Sequence, residues 1–151
     1  MSASADDIEG IKRLKARYFR CLDTKDWPGL RAVFTDDVVA DIGRIRAARD
    51  AAGAQTLIEV GISTAFGCTL QGPVAPAEVL RLVQAVLDLG VDRVSLADTV
   101  GYADPAMVRR LFERVLPVAG NKLDCGHFHD TRGLGLANVM AALDLGVSRF
   151  D

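Results

Sequence analysis

A five-residue string, Leu-Asp-Leu-Gly-Val, occurs twice in this chain, at 87–91 and at 143–147, and in both copies an arginine (Arg93, Arg149) follows after one intervening residue. Each copy closes a stretch with helical apolar spacing and opens one with strand character. Glycine between them supplies the left-handed backbone that ends a helix and that other residues resist. Gly53 and Gly120 mark similar joints. Strands returned through helices run parallel, so a train of such units builds either a doubly wound sheet or a (β/α) barrel.

The units can be read off directly. Leu57–Ile62, Arg93–Ala97 and Leu123–His129 are strand-like, and a last strand begins at Val147. Pro76–Leu89, Pro105–Leu116 and Leu134–Leu145 are helical, with core stripes at Val79, Leu82, Val83, Val86 and Leu87 and at Val108, Leu111, Phe112 and Val115. Pro76 and Pro105 stand where a first helical turn tolerates a missing N–H, and Asp104 offers a capping oxygen. Ser63-Thr64, Asp98-Thr99 and His127-x-His129 all fall at strand C-terminal ends, where parallel β/α folds assemble their sites. A dinucleotide fold would want Gly-x-Gly-x-x-Gly, and Gly133-Leu134-Gly135 lacks the third glycine. The expected fold class is therefore α/β, a partial (β/α) TIM barrel with parallel strands over residues 44–151, preceded by an N-terminal helical segment over 1–43.

His127 and His129 are the only two histidines. With period-two alternation they share one strand face, together with Leu123 and Cys125, near the C-terminal end. Two imidazoles held side by side make a metal-ligand geometry, with a hydrogen-bonded core pair as the alternative. With 18 basic and 20 acidic residues the chain is nearly neutral, and no clustered basic face suggests nucleic acid. The N-terminus lacks a secretory pattern, and no apolar run is long enough for a membrane span. Cys21, Cys68 and Cys125 are odd in number and widely spaced, which points to reduced thiols, no disulfide and a cytoplasmic location, with Cys68 and Cys125 read as packing thiols.

The front segment has a different grammar. An amphipathic helix capped by Asp6 or Asp7 runs through Ile8, Ile11, Leu14 and Tyr18; a short second helix starts at Trp27-Pro28-Gly29-Leu30, and Val38–Ile42 reads as extended. Ile11 to Phe19, Asp23-x-x-Asp26-Trp27 and Phe34 to Val38 together resemble the opening of the SnoaL-like branch of the nuclear transport factor 2-like superfamily. That resemblance implies an α+β cone with a small-molecule pocket, of which this chain carries the first elements.

From residue 44 onward, Ser63 to Cys68, Ser95 to Gly101, His127 to Gly133 and Leu136-Ala137-Asn138-Val139 follow one another at one-unit intervals. In that order and spacing they resemble hydroxymethylglutaryl-CoA lyase. Asp130-Thr131 after the paired histidines fits that branch better than the related synthases, which generally have Asn-Asp there. One departure is Cys68-Thr69-Leu70-Gln71-Gly72, where many lyases have Cys-Pro, an aromatic residue and then Glu-Gly. The resemblance implies a metal-dependent retro-Claisen cleavage of an acyl-CoA thioester, 3-hydroxy-3-methylglutaryl-CoA, to acetyl-CoA and acetoacetate. It implies Mg2+ or Mn2+ held by His127 and His129, with Asp98 positioning substrate or a metal-bound water and Ser63 and Thr99 bonding substrate. Asn138 reads as structural.

The family's glycine-rich loop with its catalytic cysteine and an asparagine ligand would lie past Asp151, and the front segment stands where its first strand carries an Arg-Asp pair. Activity is therefore expected to be incomplete in this chain, and exposed barrel edges predict self-association. The alternatives are a noncatalytic binding or assembly fragment, or a small-molecule-binding protein of the nuclear transport factor 2-like kind.

Overall fold

The computed structural model describes residues 4–24, 26, 28–29, 32–33 and 41–151. The chain divides into two compact units, Met1–Ala40 and Asp41–Asp151. In the first unit, helix α1 (Ala5–Asp23) carries the predicted amphipathic pattern. Its cap differs from expectation. Ser4 is the capping residue, its hydroxyl accepting from the Asp7 N–H at 3.1 Å while the Asp7 carboxylate accepts from the Ser4 N–H at 3.0 Å. Asp7 thus closes a reciprocal capping box rather than opening the helix. Most of the predicted second helix (Trp27, Leu30, Phe34) and Val38–Ala40 of the predicted strand lie outside the described residues.

In the second unit, Asp41 and Ile42 do not extend a strand. Asp41 caps helix α2 (Ile42–Ala51), its side chain accepting from the Arg44 N–H, and Gly53 with φ +62° ends the turn beyond. The order continues β1 (Glu59–Ile62), α3 (Pro76–Asp88), β2 (Arg93–Asp98), α4 (Pro105–Ala119), a short 3-10 turn, β3 (Leu123–Phe128), α5 (Gly135–Leu143) and β4 (Arg149–Phe150). Asp104 caps α4 through the Met107 N–H at 2.7 Å, and Pro105 follows it, as the sequence predicts.

All strand pairs are parallel and the order is β1-β2-β3-β4. Each new strand joins the last one without reversing direction across the sheet. This is the progression of a barrel, whereas a doubly wound sheet reverses at a switch point. Among the described residues no helix is long and apolar enough to cross a membrane.

The helices cover one face of the sheet, α3 packing on α4 and α4 on α5. Val94 and Leu96 of β2 are fully buried beneath them, with Val79 and Val83 of α3 and Val108, Phe112 and Val115 of α4. Removing each such side chain from water contributes about 1.5–3 kcal/mol. One register detail departs from simple alternation. Val94 pairs with Leu123 but Ser95 with Cys125, so Asp124 is an extra residue in β3. Leu123 consequently turns into the helix-side core, and only Cys125 keeps the histidines' face.

Candidate functional site

Phe128, the residue between the two histidines, decides where their rings go. Its ring packs toward the helices against Phe66, Phe112 and Phe150, with centroids 6.1, 6.4 and 6.3 Å away. Gly126 makes the room: a Cβ there would lie 2.8 Å from the Phe128 ring. With Phe128 anchored in the core, alternation sends His127 and His129 to the opposite, open face. Their ring centroids are 4.9 Å apart. His127 is half-buried and His129 exposed.

Strand register collects the other rim residues. Ala97 pairs with His127 and Asp98 with Phe128, so Thr99 and His129 lie one step beyond. On β1, Ile62 pairs with Leu96, which leaves Ser63 one step beyond the strand, in the turn that follows. The Thr99 hydroxyl accepts from the Thr64 N–H at 2.8 Å, tying the two loops together, and Thr64 has φ +53°. Ser63, Thr99, His127 and His129 are thus gathered on one rim. Asp98 is oriented differently. It is 1% exposed on the helix side, and its two oxygens accept from the Tyr102 N–H at 2.8 Å and the Ala103 N–H at 3.1 Å.

Asp98 belongs to a polar knot that sets the loop carrying the histidine motif. The Ala103 carbonyl accepts from the Asn138 amide at 3.2 Å and from Arg132, and Arg132 also donates to the Tyr102 carbonyl. Gly101, at φ +70°, brings the β2–α4 loop so close to Thr131 that a Cβ would fall 2.5 Å from its hydroxyl. Asp130 then accepts from the Gly135 N–H at 2.7 Å and starts α5, which lacks a cap from its own preceding residue. Asn138 is fully buried within α5, and its carbonyl oxygen has no partner among the described residues.

Two features of this face escaped the sequence reading. One is Asp151, whose carboxylate lies 3.0 Å from His127 Nδ1. The other is a charged cluster below the histidines: Arg149 binds Glu59 and Asp124, each at 2.9 Å, and Arg93 reaches Asp124 at 3.5 Å. Cys125, between cluster and rim, is 2% exposed; burial first, then the Asp151 and Glu59 carboxylates, push its thiol up. Cys68 is not a core thiol. It sits half-buried in a small hairpin, and the N–H groups of Leu70 and Gln71 hold its thiol below the ordinary range.

Neutral imidazole nitrogens ligate divalent ions, and the two rings lie close enough to share one, with His127 inside β3 and His129 just past its end. Among the described residues no group of three or more His, Cys, Asp or Glu side chains is arranged to enclose an ion.

Parallel β/α units in barrel order, with polar side chains gathered at the strands' C-terminal ends, define a portion of a (β/α)-barrel of the kind that carries its site on that rim. The HMGL-like family model matches residues 36–151, and the chain belongs to that family. A SnoaL-like domain model also matches residues 3–67, overlapping it. Hydroxymethylglutaryl-CoA lyase YngG of Bacillus subtilis is 39% identical over 102 residues, 68% of this chain and 34% of that protein. The HMG-CoA lyase structure from Brucella melitensis superposes with a TM-score of 0.67 at 32% identity, over 73% of this chain and 38% of that one. An HMG-CoA lyase from Acinetobacter baumannii, in complex with coenzyme A and 3-methylmalate, gives 0.65 at 39% identity over 72% and 35%. The chain spans about a third of the length of the curated relatives it matches.

Proposed function

We propose that this chain supplies the histidine rim of a metal-dependent acyl-CoA lyase. The substrate of this reading is 3-hydroxy-3-methylglutaryl-CoA, cleaved to acetyl-CoA and acetoacetate. The observation that carries it is the pair of imidazoles, 4.9 Å apart, on the open face of a family member's sheet. His127 and His129 would hold Mg2+ or Mn2+. When bound, such an ion polarises the substrate's oxygens and acidifies its tertiary hydroxyl. The chain's own residues orient and enclose. Ser63 and Thr99 would offer hydroxyls from the same end of the sheet, just past β1 and β2, and Asp98 acts through the loop it holds. Residues 44–151 form the lyase-like region on this reading and residues 1–43 the SnoaL-like one, and the three free thiols suit a reducing cytoplasm.

On this reading the remaining catalytic groups come from elsewhere, because the chain spans about a third of its relatives' length. The test is acetoacetate release from the thioester with and without Mn2+, in the parent and in His127→Ala. Release that requires both the metal and His127 is expected once the missing groups are supplied by a full-length relative's complementary segment. Release indifferent to His127 would sink the proposal.

A second reading, assembly through the sheet edges, is favoured by a specific observation. Among the described strands β1 pairs only with β2 and β4 only with β3, leaving two open edges. Sedimentation is expected to give a concentration-dependent dimer or larger species; a monomer at all concentrations would count against it.

A further inference from the structure

The same register that gathers the rim brings one carboxylate to the histidines that the reading above does not use. β3 and β4 pair Cys125 with Arg149 and Gly126 with Phe150, so one step further Asp151 stands beside His127. There its Oδ1 lies 3.0 Å from His127 Nδ1. A carboxylate can only accept, so the ring nitrogen facing it must be the one carrying hydrogen. At that separation a shared hydrogen fills the gap, which leaves no room for a cation between the two atoms.

From this geometry we propose that Asp151 is a positioning residue that fixes His127 in its Nδ1–H tautomer and leaves Nε2 as the nitrogen free to ligate. The inference rests on the metal reading for its purpose but not for its observable. A neutral imidazole without a partner exchanges its proton between the two nitrogens, and only the unprotonated one can bind a metal. Fixing the proton removes the non-binding tautomer and locks the ring's rotation, which is why carboxylate partners of ligand histidines matter for affinity. His129, exposed and with no carboxylate partner among the described residues, has no such restraint. The two imidazoles are therefore unequal: His127 is set in advance, and His129 must be ordered when the ion arrives.

The experiment is nitrogen NMR of the histidine rings in the metal-free chain, with His129→Ala to assign the two rings. The parent is expected to show His127 with its proton on Nδ1. Asp151→Ala, checked by circular dichroism to be folded, is expected to lose that preference. Asp151→Asn keeps an accepting oxygen and is expected to retain it. Mn2+ binding followed by electron paramagnetic resonance should weaken by about 10–100-fold in Asp151→Ala and less in Asp151→Asn.

A parent His127 protonated on Nε2, or a ring unchanged in folded Asp151→Ala, would overturn the proposal whatever the metal does. Mn2+ binding that is the same in parent and His129→Ala would instead sink the metal reading, with the ring spectra still deciding the role of Asp151.

Discussion

Cys68 and Cys125 show how far local surroundings separate two residues of one type. Cys68 lies in a hairpin whose N–H groups favour its thiolate, while burial and nearby carboxylates disfavour that of Cys125. Because the thiolate is the reactive form, iodoacetamide is expected to modify Cys68 first in the folded chain and to spare Cys125 until unfolding. Peptide mapping by mass spectrometry reads the order directly, and equal rates would contradict the burial of Cys125. At this scale sequence spoke for the histidines and misread one of two cysteines: both were expected to be packing thiols, and only Cys125 is buried while Cys68 sits half-buried in a hairpin. The period of a strand is local, so His127 and His129 had to share a face. Whether a cysteine is buried depends on what packs over it.

Among the elements, β3 depends on its aromatic anchor. Phe128→Ala removes the ring that meets Phe66, Phe112 and Phe150, and the loss is expected near the lower end of about 3–5 kcal/mol because the ring is only partly buried. Chemical denaturation measures it, and the same variant should weaken Mn2+ binding by freeing the strand end. Gly101→Ala combines a left-handed backbone with a clash on Thr131; about 1–3 kcal/mol of destabilisation is expected in the same assay.

Helix α2 is tied to the sheet by Asp92, which accepts from the Ile58 N–H and pairs with Arg49. The Ile58 bond first, then the Arg49 charge, hold its carboxyl below the ordinary value of 3.8. A depressed folded value means the contribution is full above 3.8 and is lost as pH falls through the lower folded value. The gap in melting temperature between the parent and Asp92→Asn should therefore be full near neutrality and close in acid. A gap independent of pH would show that the carboxylate's charge is not involved.

For the molecule as a whole, a ligand that binds only the folded state raises its stability, by roughly 2.7 kcal/mol at a hundredfold excess over its dissociation constant. Excess Mn2+ is expected to raise the melting temperature of the parent and to leave that of His127→Ala unchanged. Equal shifts would place the ion elsewhere. Arg149→Ala, which cuts the bridge from β4 across to Glu59 on β1, should lower the melting temperature without altering the histidine-dependent shift.

What the sequence by itself determined was the succession of β/α units, the parallel sheet and the strand ends near which Ser63, Thr99, His127 and His129 stand. Those follow from glycine-terminated helices, apolar periodicity and strand alternation, all of which act over a few residues. Tertiary structure decided the rest. The extra residue in β3 sent Leu123 into the core, buried Asp98 turned its oxygens to a loop, and strand pairing set Asp151 against His127 and Arg149 against Glu59, a residue 90 positions away. Register between strands is fixed by how whole helices pack across the intervening chain, and no local period carries that information.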